Sequence, residues 1–414
     1  MILVIIIYMI ISLLLNKIFL KKTMCLPSIL TIIWCISLSL SLFGFFDVYK
    51  PSNSVAVYSM IFLSSFNFFS IFFNLFIKTN KKIKKYDYKI SHQFLNFILV
   101  LCSFLLIFFC RKSFITLITT HDFNLVRNLF ISYNTISEYS QVFIYISIIP
   151  LGKACMILSS VEYIKSKKIS SSLILSLLFL LLCSIITGGR SYLFLIVLVF
   201  ILSLYLHTDS IKKIMKKYKK AISVITFLII IMIFITSKRG FSDGGIFKSV
   251  YVYFCASFSL FNQYIEKGLV FGKKLLFGKE MFGGILFPFI EILRYVFNVN
   301  ILPGNYILDA EATSKYIGIS PTIAINASPS VLYFAIRDFG IVGLIIYPMI
   351  LSFMYIVLKK KSMHGNSLDK ANYVYYISLC MLLTMSFPFD SFKNVGVFVY
   401  LLMLCLCFKK EEIK

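Results

Sequence analysis

Apolar residues in this chain do not alternate with polar ones; they come in long unbroken runs separated by short lysine-rich connectors. The runs fall at roughly 1–16, 26–46, 55–77, 94–110, 141–160, 170–187, 191–206, 221–237, 331–358, 372–387 and 394–408. A run of ~20 residues is what the hydrocarbon core of a bilayer requires. These runs are apolar nearly all round, as expected where lipid is the solvent. One interval breaks the rhythm, from Ser237 to about Ser330. It holds SKRGFSDGG (Ser237 to Gly245), two semi-apolar stretches near 246–265 and 281–300, the polar LDAEATSKY (Leu308 to Tyr316) and NASPS (Asn326 to Ser330). The pattern predicts an all-α polytopic integral membrane protein with about 11 transmembrane helices. Its large loop faces outward and carries helices partly embedded in the membrane. The expected organisation is an eight-span bundle over 1–237, the loop over 238–330 and a three-span bundle over 331–414, all in one integrated membrane domain.

Composition removes the soluble alternative. Hydrophobic residues make up 59% of the chain and charged residues only 14%, against roughly a quarter for a soluble surface. The formal charge of +25 would suggest nucleic acid in a soluble protein. Here the lysines gather in short connectors, the signature of cytoplasmic loops, so no nucleic-acid partner is expected. Alternate connectors hold 25 basic residues in one set and six in the other, with no loop out of phase. That asymmetry places the N-terminus outside and the C-terminus in the cytoplasm. The opening MILVIIIYMIISLLLNK lacks a basic start and a small-residue cleavage site, and reads as a first span. The ten cysteines show no CxxC or Cys/His spacing, and most sit in apolar runs as small hydrophobes.

The sign of charge then becomes informative. All six arginines (Arg111, Arg127, Arg190, Arg239, Arg294 and Arg337) fall outside or near the outer face, whereas the inner loops carry lysine. A guanidinium binds phosphate oxygens through a planar fork and stays charged in a partly dry site. Arginines at the outer edge therefore suit a diphosphate or acidic-sugar ligand. Arg190 lies in TGGR (Thr187 to Arg190), a shallow hairpin whose paired glycines expose backbone N–H groups. Arg239 follows the exit of span eight. Arg294 stands three residues after Glu291, one helical turn away, so a local ion pair and a binding role both remain open. Arg337 and Asp338 lie six residues into the ninth run, where ionised groups are expensive and face the protein interior. As neighbours on a helix, they are not expected to pair. Gly340 and Gly343 in the same run allow close approach of another backbone.

Asp309 and Glu311 are the acids of the polar piece, with Asp243 similar in kind, and Asp309 is a candidate general base. His121 is the one outward histidine, a lone loop residue of the kind that is more often a bystander. Lys153 is the single charge within an early span, about seven residues from its inner end and able to reach it. Walker, Rossmann, GxSxG and HExxH patterns are absent, and the outward residues assemble no metal constellation. No cofactor is expected. The first eight spans carry almost no acids, which disfavours an ion-coupled transporter.

TGGRSYLFLIV (Thr187 to Val197), SKRG at the exit of span eight and NASPSVLYFAIRDFGIVG (Asn326 to Gly343) resemble the bacterial O-antigen or capsule repeat-unit polymerases of the Wzy type. The layout of many spans with one large outward loop before the last three is similar too. The resemblance implies glycosyl transfer at the outer face of the cytoplasmic membrane, from an undecaprenyl diphosphate carrier and without a metal. It implies that Arg190, Arg239 and Arg337, with Arg294 as a further candidate, handle the lipid diphosphate. The base stays open between Asp338 and Asp309. A chain-length regulator and a flippase of the same pathway are the implied partners. The O-antigen ligase is the nearest rival, disfavoured by the lack of a histidine between Ser237 and Ser330; a flippase of the pathway is the other.

Overall fold

The computed structural model describes the chain except residues 22–24, 79–85, 123–124, 127–129, 131–139, 141–142, 167, 188, 190, 208–218, 239–244, 309–314, 326–329, 365, 385–395 and 413–414. It is mostly helical, at 82%. In chain order the helices are α1 (Ile2–Leu20), α2 (Leu26–Phe43), α3 (Asn53–Phe76), α4 (His92–Phe109), α5 (Arg111–Thr120) and α6 (Ile149–Ser166), the last continuing a π turn at Ile144–Ile148. Then come α7 (Ser171–Thr187), α8 (Ser191–His207), α9 (Lys219–Lys238), α10 (Gly245–Glu266), α11 (Gly283–Val296) and α12 (Gly304–Leu308). The series closes with α13 (Val331–Phe339), α14 (Gly343–His364), α15 (Ser367–Thr384) and α16 (Gly396–Cys407).

A helix stands in each interval where a span was expected. Six stretches among the described residues are both long and apolar enough to cross a membrane, namely α1, α2, α3, α4, Ile144–Ser166 and Val331–Met363. The protein is therefore helical and membrane-embedded, with six crossings supported by length and apolarity. Helix α7 shows why the count falls below eleven. It has 17 residues, which at 1.5 Å per residue reach ~25 Å, short of the ~30 Å hydrocarbon.

The chain divides into two compact units that cut across the three expected segments. The first comprises Met1–Asn80, Phe247–Lys360 and Leu379–Val395. Helices α1 to α3 pack on one another, and a buried polar knot holds them. Asn16 Nδ2 donates to Asn67 Oδ1 at 2.7 Å, and Asn67 Nδ2 reaches Thr31 Oγ1 at 2.9 Å and Tyr8 Oη at 3.3 Å. Loop helix α10 joins this layer rather than standing off it. Trp34 stacks on Phe62 at 5.4 Å and meets the edge of Phe258 at 5.6 Å. Ser259 Oγ donates to Tyr49 O at 2.7 Å, and Asn262 Oδ1 accepts Ser52 N–H at 3.0 Å.

The second unit comprises Lys81–Ile246, Lys361–Ser378 and Gly396–Lys414. Helix α6 is its hub, packed against α4, α7, α8 and α16. His92, Glu162 and Ser172 close a polar contact among α4, α6 and α7, with Nε2···Oε1 at 2.8 Å and Nδ1···Oγ at 3.0 Å.

The all-α architecture carries two short antiparallel strand pairs outside its helices. Strand β1 (Tyr86–Ile90) pairs antiparallel with β4 (Phe408–Glu412), and β2 (Ile317–Gly318) with β3 (Ala324–Ile325). The first ladder joins two segments that the lysine asymmetry assigns to one face. Other contacts between connectors are made by Lys165, whose Nζ donates to Ser367 Oγ at 3.1 Å, and by Lys360, whose Nζ donates to Asn74 O at 2.7 Å and to Ile77 O. Tyr49 N–H donates to Ile319 O at 2.7 Å.

Candidate functional site

The stretch Val331–Met363 spans 33 residues, ~50 Å as a straight helix and too long for one crossing. It is not straight. Ser330 caps α13, its Oγ accepting Leu332 N–H at 3.2 Å. The helix stops at Gly340, whose φ of 65° lies in the left-handed region. After a single 3-10 turn, α14 begins at Gly343. A side chain at Gly343 would collide with the carbonyl oxygen of Ala335. Eight residues along a straight helix would separate those positions by ~12 Å, so the chain must turn back on itself here. The close approach expected of Gly343 is therefore to its own preceding helix. Helix α14, with 22 residues, reaches ~33 Å and suffices to cross alone.

This reversal relocates Arg337 and Asp338. They belong to α13, a short buried helix that ends before the break at Gly340. Every residue from Val331 to Asp338 is buried, Arg337 to 1% exposure and Asp338 to 0%. An ionised pair so placed must be matched by hydrogen bonds. The match comes from the large loop, whose residues 274–282 wrap the C-terminal end of α13. Asp338 Oδ1 accepts the Glu280 N–H at 3.1 Å and Oδ2 accepts the Met281 N–H at 2.7 Å. Leu276 N–H donates to Arg337 O at 3.0 Å and Phe277 N–H to Asp338 O at 2.9 Å. Arg337 Nη1 approaches Lys274 O at 3.5 Å. As expected for neighbours on a helix, the two side chains turn to different partners.

The wrap brings a third ionisable group into the same buried place. Glu280 is 1% exposed. Its carboxylate acts electrostatically on Asp338, and both act on the buried Tyr347 phenol of α14. Glu280 was not singled out by sequence. In KEMF it resembles any loop acid, and only its contact with a residue 58 positions later buries it.

The other candidates divide. Arg190, Arg239 and Asp309 lie outside the described residues, as do Arg127, Asp243 and Glu311. Arg294 lies on α11 with its side chain 36% exposed. Its Nη1 stands 3.7 Å from Glu291 Oε1, so the local ion pair is present, at the long end of the range. The guanidinium also lies over the Tyr295 ring at 5.3 Å. His121 and Arg111 are exposed.

Lys153 lies on α6 with its Nζ over the Tyr192 ring at 5.5 Å. A Cβ on Gly189 would stand 3.3 Å from the same ring.

No protein-family model matches this chain, and neither a curated protein nor a solved structure does. The functional reading therefore rests on the residues.

Proposed function

We propose that this protein polymerises undecaprenyl-diphosphate-linked oligosaccharide repeat units into O-antigen or capsular polysaccharide. The reaction takes place at the outer face of a bacterial cytoplasmic membrane, with about eleven crossings, the N-terminus outside and the C-terminus in the cytoplasm. The observation that supports this reading is the burial of Arg337 and Asp338 side by side at the end of α13, with backbone N–H groups of the large loop bound to Asp338. A leaving diphosphate anchored by its polyprenyl tail develops its charge at the bilayer edge, where guanidinium groups stabilise it best. Arg190, Arg239 and Arg337 are the candidates for that role, with Arg294 a further one, and no metal takes part.

In the reaction the acceptor hydroxyl attacks the anomeric carbon of the growing glycan as the bond to the diphosphate breaks. The electron pair leaves with the diphosphate, and a carboxylate takes the hydroxyl proton. Asp338 and Asp309 are the candidate bases. Asp338 has both oxygens occupied by backbone donors, so its first duty is to pin the loop. Arg337 lies beneath residues 274–282, and a diphosphate would reach it when that wrap lifts. Holding donor and acceptor in one groove supplies much of the remaining acceleration. Chain-length regulator and flippase are the expected partners.

The test is deletion of the gene followed by electrophoresis of the surface polysaccharide. A polymerase leaves anchors capped with a single repeat, and complementation restores the ladder. Uncapped anchors with polymer retained on the carrier would indicate a ligase instead. Arg190→Lys and Arg337→Lys should each shorten the ladder by ten-fold or more in modal length at unchanged protein level. Normal ladders from both variants remove the diphosphate argument.

A further inference from the structure

Helix α11 presents an apolar face that is exposed among the described residues of its own unit. Phe289, Ile292, Tyr295 and Val296 are 55%, 51%, 72% and 67% exposed. At 100° per residue these four positions fall within one side of the helix. Gly283 and Ile290 are buried on the other side, and the only charges of α11, Glu291 and Arg294, stand 3.7 Å apart, with the Arg294 guanidinium over the rim of the face at Tyr295.

We infer that α11 lies in the headgroup layer of the bilayer, parallel to the membrane plane, with this face in contact with lipid. Three observations commit the surface to lipid. The first is length, because 14 residues reach ~21 Å and cannot cross a ~30 Å hydrocarbon core. The second is continuity with the crossing itself. Met281 is bonded to Asp338, and Asp338 lies beside the reversal from which α14 departs into the membrane. Helix α11 starts two residues after Met281, so its root is tied to the turn that leads into α14. The third is charge. Lys267, Lys273 and Lys274 are exposed and Lys279 is half-buried in the segment leading to α11, where Glu266 is the one exposed acid. An apolar face beside a basic stretch suits anionic headgroups, with burial of roughly 5–10 Å into the interface.

The placement stands apart from the proposed reaction, since it concerns lipid contact alone. It would, however, set the 274–282 wrap at the level where lipid-linked diphosphates lie.

The test uses the full chain reconstituted in vesicles of phosphatidylethanolamine and phosphatidylglycerol. Single cysteines replace Phe289, Ile292, Tyr295 or Val296, each carrying a nitroxide. The eight described native cysteines are buried, and the labelled parent chain supplies the background. Collision rates with oxygen and with a water-soluble nickel complex report depth. Residue Phe247, 84% exposed on α10, serves as an independent reference position. The expected result is at least five-fold nickel exclusion at all four α11 sites, at similar shallow depth from Phe289 to Val296. Nickel access at all four would overturn the inference in favour of water or a soluble partner. A depth that grows steadily along the helix would overturn it in favour of a crossing. Spin–spin broadening that vanishes on dilution with unlabelled chain would assign the face to a second copy. A surface polysaccharide defect has no bearing on these readings, so the two proposals fail separately.

Discussion

Lys360 near the end of α14 and Arg337 near the end of α13 are held in different ways. Lys360 is half-exposed, and its ammonium caps the last carbonyls of α3 at Asn74 and Ile77. It behaves as a solvated anchor that also completes a helix terminus. Arg337 is buried, next to a carboxylate that binds two backbone N–H groups of the large loop. Lysine suits the first place because a flexible stem can find carbonyls near water. Arginine suits the second because it keeps its charge where desolvation would neutralise a lysine. The two cations therefore differ in what holds them, one capping carbonyls beside solvent and the other buried under residues 274–282.

That contrast can be broken most sharply at Asp338. Each of its two bonds is charge-assisted and worth about 1.5–3 kcal/mol. Asp338→Ala should lower stability by roughly 3–6 kcal/mol on that principle, and Asp338→Asn by about half as much because one acceptor remains. Thermal unfolding in detergent, followed by aggregation of the purified protein, would show it. At the reversal, Gly343→Ala should cost roughly 1–3 kcal/mol through overpacking against Ala335, read by the same melt. Lys360→Met removes one end-capping cation and should cost about 0.3–1 kcal/mol. Were Lys360→Met as damaging as Asp338→Ala, the two places would be equivalent and the contrast would fail.

The crossings were legible because a long apolar run needs no distant partner to become a helix. Leu26–Phe43 is an example, opened by Pro27 and closed by Gly44 in the left-handed region. The reversal at Gly340 was not legible, because Ile341 and Val342 carry the apolar run straight through it. Both are exposed, at 55% and 58%, and where lipid is the solvent, exposure leaves no polar mark in the sequence. Arg337 and Asp338 were found from the cost of charge in an apolar run, although their place is a short helix that ends before the break at Gly340. Glu280 was missed because its burial depends on a contact 58 residues away. Nor did any local pattern announce that the large loop packs against α2 and α3. That contact depends on Trp34 meeting Phe258, two residues with no signature in common.

The knot around Asn67 has a consequence for how the protein is made. Asn16 enters the membrane 51 residues before its partner, so during synthesis an amide waits there without the group that will satisfy it. Release of α1 and α2 into lipid is then favoured only once α3 arrives, and the three helices should leave the insertion machinery together. A chain truncated between α2 and α3 should accordingly be retained or degraded, however apolar its two helices are.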